Sequence, residues 1–176
     1  MGIGGVIQTG YRFALAKGYD IAVQLDGDGQ HDPSLIHNLI QPLLKNEADV
    51  VIGSRFLHED GYKSTFMRRL GINWISLIIR LCSGIRIHDT TSGFRAVNRR
   101  MIEFYADYYT QDYPEPEAIL NAALNGYRLL EVPTVMRERT GGTSSINALR
   151  SVYYMVKVTL ALFICRISSL PRRKDK

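Results

Sequence analysis

The chain holds 176 residues, 45% of them hydrophobic and 22% charged, with a formal charge of +5 and a pI near 9.3. Such a balance suits one globular domain with its own core and excludes a disordered or low-complexity chain. The basic excess gathers late, at Arg166, Arg172, Arg173, Lys174 and Lys176; it lacks the interleaved aromatics of a nucleic-acid surface and suits an anionic membrane surface or plain solvation.

In chain order, residues 4–17 read as a helix stopped near Gly18, and 20–25 as a short buried strand. A polar turn follows. Then "PSLIHNLIQPLLKN" has helical periodicity, with Asp32 as cap and Pro33 in the first turn. Residues 48–54, "ADVVIGS", read as a second buried strand, so helices and strands alternate as in a mostly parallel sheet. A polar loop, "RFLHEDGYKST", leads to an apolar-faced helix over 66–82. "SGIRIHDTTSGFRAVNR" reads as loop and short strand, 99–108 as a helix, and "TQDYPEPE" as a proline-marked loop. A helix over 117–125 stops at Gly126. "YRLLEVPTVM" is a strand that runs into the loop "RERTGGTSS", and 146–168 is a long closing helix. The expected division is 1–145 for the main α/β unit and 146–176 for an amphipathic helix with a basic tail.

Cys82 and Cys165 fall in apolar helical patterns without ligand spacing, so buried thiols in a reducing, cytoplasmic compartment are expected. The opening residues lack the basic-then-apolar pattern of a secretory signal. "VTLALFIC", 158–165, lies between Lys157 and Arg166 and is too short for a bilayer, which needs about twenty residues. The helix around it reads either as interfacial on a membrane or as core.

The chemistry concentrates in five stretches. "DGDGQHDP" puts Asp26 and Asp28 at the carboxyl end of a strand, where ligands of open α/β sheets bind. Two carboxylates there suit a hard divalent cation shared with substrate phosphates, with Gln30 and His31 as neutral helpers. "VVIGSRF" ends a strand on Arg55, a candidate phosphate clamp. Arg68 and Arg69 open the next helix against its dipole, which suggests an anionic partner. "DTTSGFR" combines Asp89, Ser92, Gly93 and Arg95, as a substrate loop or an Asx-type turn. Glu115 and Glu117 precede a helix, as dipole partners or a general base. "RERTGGTSS" offers Arg137, Arg139 and backbone N–H groups to a pyrophosphate.

Taken together, "LDGDGQHDP", "VVIGSRF", "DTTSGFRAVNR", "YPEPE", "EVPTVMRER" and "GGTSSI" resemble family 2 glycosyltransferases. The group in question includes dolichol-phosphate mannose synthase and the bacterial polyprenyl-phosphate sugar transferases. The resemblance covers nearly the whole chain and implies a GT-A fold, a nucleotide-sugar donor and Mg²⁺ or Mn²⁺. It assigns Asp26 and Asp28 to the metal-binding DxD, with Gln30 beside them. It sets Arg55, Arg68 or Arg69, Arg95 and Arg139 near donor or acceptor phosphate. Asp89, Glu115 and Glu117 are its candidate catalytic acids, with no choice made among them.

The acceptor it implies is a polyprenyl phosphate at the cytoplasmic membrane face, with inversion at the anomeric carbon. Such an acceptor is already an anion and needs little deprotonation, so cations matter more than a base. The alternatives are a sugar hydroxyl in cell-wall or surface polysaccharide synthesis, which would need a base, and an inactive remnant that binds a partner. The family's opening strand, with a motif such as "IPAYNE", has no counterpart here. The chain is therefore expected to match the C-terminal two-thirds of a catalytic domain, with weak or no transfer by itself. An open sheet edge would favour association with a membrane protein or a second copy.

Overall fold

The computed structural model describes residues 2–57, 66–110, 113–136 and 148–169. Its elements run α1 (Ile3–Ala16), β1 (Ile21–Gln24), a 3₁₀ turn (Pro33–Leu35), α2 (Ile36–Leu44), β2 (Val50–Ser54), α3 (Phe66–Ser83), β3 (Arg95–Asn98), α4 (Arg99–Asp107), α5 (Pro114–Leu124), β4 (Leu129–Pro133) and α6 (Ala148–Ser168). The Asp32 carboxylate accepts from Ser34 N at 3.0 Å and starts the turn before α2, as its position before Pro33 predicts. Asn98 caps α4 in the same way, accepting from Met101 N at 3.1 Å.

The sheet is open, in the order β1-β3-β2-β4. β1, β2 and β4 run in one direction, as expected of a mostly parallel sheet, and β3 alone is reversed, antiparallel to its neighbours β1 and β2, so the sheet is mixed. The cause lies in the stretch between β2 and β3. A parallel return requires a crossover that brings the chain back to the amino end of the sheet. Here β3 starts beside the carboxyl ends of β1 and β2, with Arg95 opposite Gln24 and Ile52. Residues 84–94 therefore lie at the end of the sheet where ligands bind.

Each sheet face has its own core. Val50 and Ile52 of β2 and Val97 of β3 join α1, α3, α4, α5 and α6 on one face. Val51, Phe94 and Ala96 meet Leu39 and Leu43 of α2 on the other. This is the two-residue period of a strand buried on both sides. β2 is buried throughout, as expected, whereas β1 is a half-exposed edge strand rather than a buried one.

Two helices depart from the sequence reading. α5 begins at Pro114, so "YPEPE" is its first turn and not a loop. Proline at that position has no N–H to lose, and Glu115 and Glu117 are favoured by the positive end of the helix dipole. α6 is both core and surface: Val158 and Leu162 are fully buried, while Val156, Leu160, Ile164 and Ile167 are exposed. α3 shares this double character. Ile72, Ile75 and Ile79 point inward, and Met67, Leu70, Trp74, Leu77 and Leu81 outward. The two helices are joined where Trp74 Nε1 donates to Thr159 Oγ1 at 3.0 Å. No helix among the described residues is long and apolar enough to cross a membrane. Cys82 and Cys165 are buried free thiols, as expected, and burial raises Cys165 to about 11.

Candidate active site

Beyond β1 the chain leaves the sheet through the acidic turn. Asp28 Oδ1 accepts from Gln30 N at 3.1 Å, and Gly29 takes the left-handed backbone (φ 75°) that this tight turn requires. Gln30 is followed by His31, which makes an isolated antiparallel bridge with Met136 beyond β4. The His31 ring is buried and stacked on Phe94, with centroids 5.0 Å apart and 24° between planes. Its Nε2 lies 3.7 Å from Asp26 Oδ2.

Asp26 meets the "TSGF" loop directly. A Cβ on Gly93 would lie 2.5 and 2.6 Å from the two Asp26 carboxylate oxygens. Only glycine lets the loop approach this closely, so the two stretches that stood out in sequence form one wall. Gly53 has a related role: a Cβ there would lie 2.7 Å from the Phe94 ring. The Asp26 side chain remains 44% exposed, so one side faces the opening. Asp26, Asp28 and Gln30 offer the oxygen donors a hard cation prefers. They are not a ready-made cage: no group of three or more His, Cys, Asp or Glu able to hold a metal occurs among the described residues.

The other end of the loop holds Arg55. Asp89 Oδ2 accepts from Arg55 N at 3.0 Å and Nε at 2.7 Å, and Asp89 Oδ1 accepts from Nη2 at 2.6 Å. Thr91 Oγ1 takes a further bond from Nη2 at 2.8 Å. Arg55 is 2% exposed and Asp89 is closed to solvent. Two candidates with separate roles in the sequence reading are thus a buried, bidentate ion pair.

Asp89 is itself braced. Glu131, midway along β4, accepts from the N–H groups of His88 and Asp89, both at 2.8 Å, and contacts His88 Nδ1 at 2.7 Å. Arg55 and Arg69 lie over the Phe56 ring at 5.6 and 5.3 Å. This stack brings the first turn of α3, with exposed Arg68 and Arg69, to the arginine side of the site.

Arg95 is elsewhere. It is buried, donates from Nε and Nη2 to the Ser92 carbonyl at 3.0 and 2.7 Å, and reaches the Glu115 carbonyl from Nη1 at 3.4 Å. It links the loop to α5 from the core side rather than facing the opening. Glu115 lies within electrostatic range of Arg95 and Tyr154. Burial, reinforced by Glu115, Tyr113 and Glu117, raises the Tyr154 phenol to about 12. Glu117 stands near Tyr154 and Cys165, toward α6. Both glutamates thus belong to the α5–α6 side. Arg139, Arg137, the "GGTSS" loop and the basic tail beyond residue 169 lie outside the described residues.

Sequence reasoning missed Glu131 and Phe56. A charged residue inside an apolar strand, "LLEVP", was the available signal for Glu131. Phe56 gave none, since a lone aromatic beside an arginine is common.

An open α/β sheet flanked by helices, with an acidic turn and an arginine cluster beyond its strands, is consistent with the GT-A fold. The family model described as Glycosyl transferase family 2 matches residues 1–105, and the chain belongs to that family. It is 33% identical over 135 residues to the UDP-N-acetylglucosamine–dolichyl-phosphate N-acetylglucosaminyltransferase of Methanococcus voltae, covering 75% of this chain and 54% of that one. It is 32% identical over 150 residues to the undecaprenyl-phosphate mannosyltransferase of Micrococcus luteus, covering 83% and 61%. To the polyprenol monophosphomannose synthase of Mycolicibacterium smegmatis it is 30% identical over 162 residues, covering 89% and 60%. The chain thus spans between 54% and 61% of the length of these curated relatives.

Proposed function

We propose that this chain belongs to a metal-dependent glycosyltransferase that moves a sugar from a nucleotide-sugar donor to a polyprenyl phosphate, with inversion at the anomeric carbon. The observation that carries the choice of acceptor is the Asp89–Arg55 pair. An Asp89 whose oxygens are both engaged, closed to solvent, is poorly suited to deprotonate a sugar hydroxyl. An acceptor phosphate needs no such base. The relatives named above carry dolichyl-phosphate, undecaprenyl-phosphate or polyprenol monophosphomannose in their names, which agrees.

In this reading Asp26 and Asp28, with Gln30 beside them, hold Mg²⁺ or Mn²⁺. The cation would neutralise the departing nucleoside diphosphate. Arg69 and Arg68 receive the acceptor phosphate at the mouth. Arg55, fixed by Asp89, sets the Phe56 ring on which Arg69 rests. Loop 89–94 joins the two ends: Gly93 seats Asp26, and Asp89 and Thr91 hold Arg55.

The lipid acceptor calls for a membrane, and the outer faces of α3 and α6 are suited to one. Met67, Leu70, Trp74, Leu77 and Leu81 recur at heptad spacing on α3, beside Leu160 and Ile167 of α6. Arg69, Lys157 and Arg166 supply cations for anionic headgroups. The protein would then work at the cytoplasmic face of the membrane.

Calorimetric titration with Mn²⁺, and then with a panel of nucleotide sugars, tests the donor half. Mn²⁺-dependent donor binding is expected, and its absence overturns the reading. Radiolabelled sugar recovered in a lipid extract supports the phosphate acceptor. Label recovered in polymer instead would favour a glycan hydroxyl.

A further inference from the structure

We infer that His31 is a positioning residue for Asp26: its Nε2–H holds Oδ2 of the carboxylate and leaves the other oxygen to face a divalent cation. The inference rests on the metal reading of the acidic turn and adds to it a residue that touches neither substrate nor cation.

The starting point is an anomaly. His31 is 4% exposed, and neither ring nitrogen has a hydrogen-bond partner among the described residues. Buried polar groups are nearly always paired, so an unpaired imidazole needs a reason. The ring is not adrift in a loop. Its plane is set by the stack on Phe94, and its backbone by the bridge to Met136. Nε2 is left 3.7 Å from Asp26 Oδ2, too far for a hydrogen bond and within reach of a small carboxylate rotation.

Asp26 has room to turn on one side only. Gly93 closes one approach, and the opening leaves another. A cation at the opening would draw the carboxylate into a fixed orientation, in which Oδ2 can close on Nε2. Carboxylate ligands are commonly steadied by such an outer hydrogen bond, and losing one lowers metal affinity about 10–100-fold.

The test compares wild type, His31→Phe and His31→Gln as the full 176-residue chain. Mn²⁺ binding is read from the electron paramagnetic resonance of the free ion, and folding from thermal melting. Phenylalanine keeps the stack on Phe94 and removes the donor; glutamine restores a donor. The expected result is a fold retained in both, Mn²⁺ affinity about 10–100-fold weaker in H31F, and partial recovery in H31Q. H31F binding Mn²⁺ as tightly as wild type overturns the inference. Wild type that takes up no Mn²⁺ overturns the metal reading instead. In that case, or if H31F fails to fold, ¹⁵N spectra of the wild-type histidine rings decide. Asp26→Asn must shift the His31 Nε2 resonance, and an unmoved resonance overturns the positioning role.

Discussion

Both oxygens of Asp89 accept from Arg55 inside a region closed to water. Removing one partner of such a pair leaves the other charge buried and uncompensated, which costs about 3–5 kcal/mol. Asp89→Ala should therefore lower the unfolding free energy obtained from urea titration by that order, and Arg55→Ala by a similar amount. A surface catalytic acid would show little change in stability. Gly93→Ala should act differently. The added methyl meets the end of the Asp26 side chain rather than backbone, so the carboxylate is pushed aside while the fold persists. Its expected signature is weakened Mn²⁺ binding with a melting temperature close to wild type. At this scale the sequence was informative where motifs are contiguous: Asp26, Asp28 and Gly93 stood out by their neighbours. It was silent on the Arg55–Asp89 pair, whose members are 34 residues apart and meet only because residues 84–94 return to the carboxyl end of the sheet.

Among the elements, β2, β3 and β4 are tied at the opposite end of the sheet by Asp49. Its carboxylate accepts from Arg128 N at 2.9 Å and Asn98 Nδ2 at 2.8 Å, so the starts of β2 and β4 and the end of β3 share one acceptor. Burial alone would raise its pKa; the bonds from Arg128 and Asn98 outweigh that and hold it below the usual 3.8. The sign follows. A carboxyl depressed in the folded state adds stability above its unfolded value, and that share is lost as pH falls through the folded value. Asp49→Asn should therefore destabilise the protein at pH 7, and the gap to wild type should narrow as pH falls below the usual carboxylate range, measured as urea midpoints across pH. Elements were legible where periodicity was strong: α1, α2, β2, α3, α4 and α6 lie close to the ranges read from pattern. The start of α5 was not, because prolines that mark a loop in sequence also open a helix. The direction of β3 was not either, since four residues carry no sign of which way the chain enters the sheet.

On the scale of the whole molecule, α3 and α6 present one apolar face to the outside. Trp74, the only tryptophan, lies within it at 48% exposure and serves as a built-in probe. Anionic vesicles should shift its fluorescence to the blue and carry the protein into the pellet on sedimentation. Leu70→Glu combined with Leu160→Glu should abolish both while leaving the melting temperature nearly unchanged. A doubly substituted protein that still pellets with vesicles would move the membrane contact elsewhere. The sequence allowed the closing helix to be core or interface. It is core along one stripe and exposed along the other, because a helix at the rim of a domain buries only the side that meets its neighbours.

The antiparallel place of β3 between β1 and β2 also orders events in time. Ile21 through Gln24 find their sheet partners at Arg95 through Asn98, and β2 needs the same strand. At synthesis rates of about 5–20 residues per second, the 74 positions from Gln24 to Asn98 take roughly 4–15 s to emerge. During that interval β1 and β2 have no native strand between them. Closing so long a loop before any pairing is rewarded slows folding, and it leaves two apolar strands unprotected on the nascent chain. Early release or high expression should therefore raise the aggregated fraction, whereas slow production with a chaperone that shields strands should lower it.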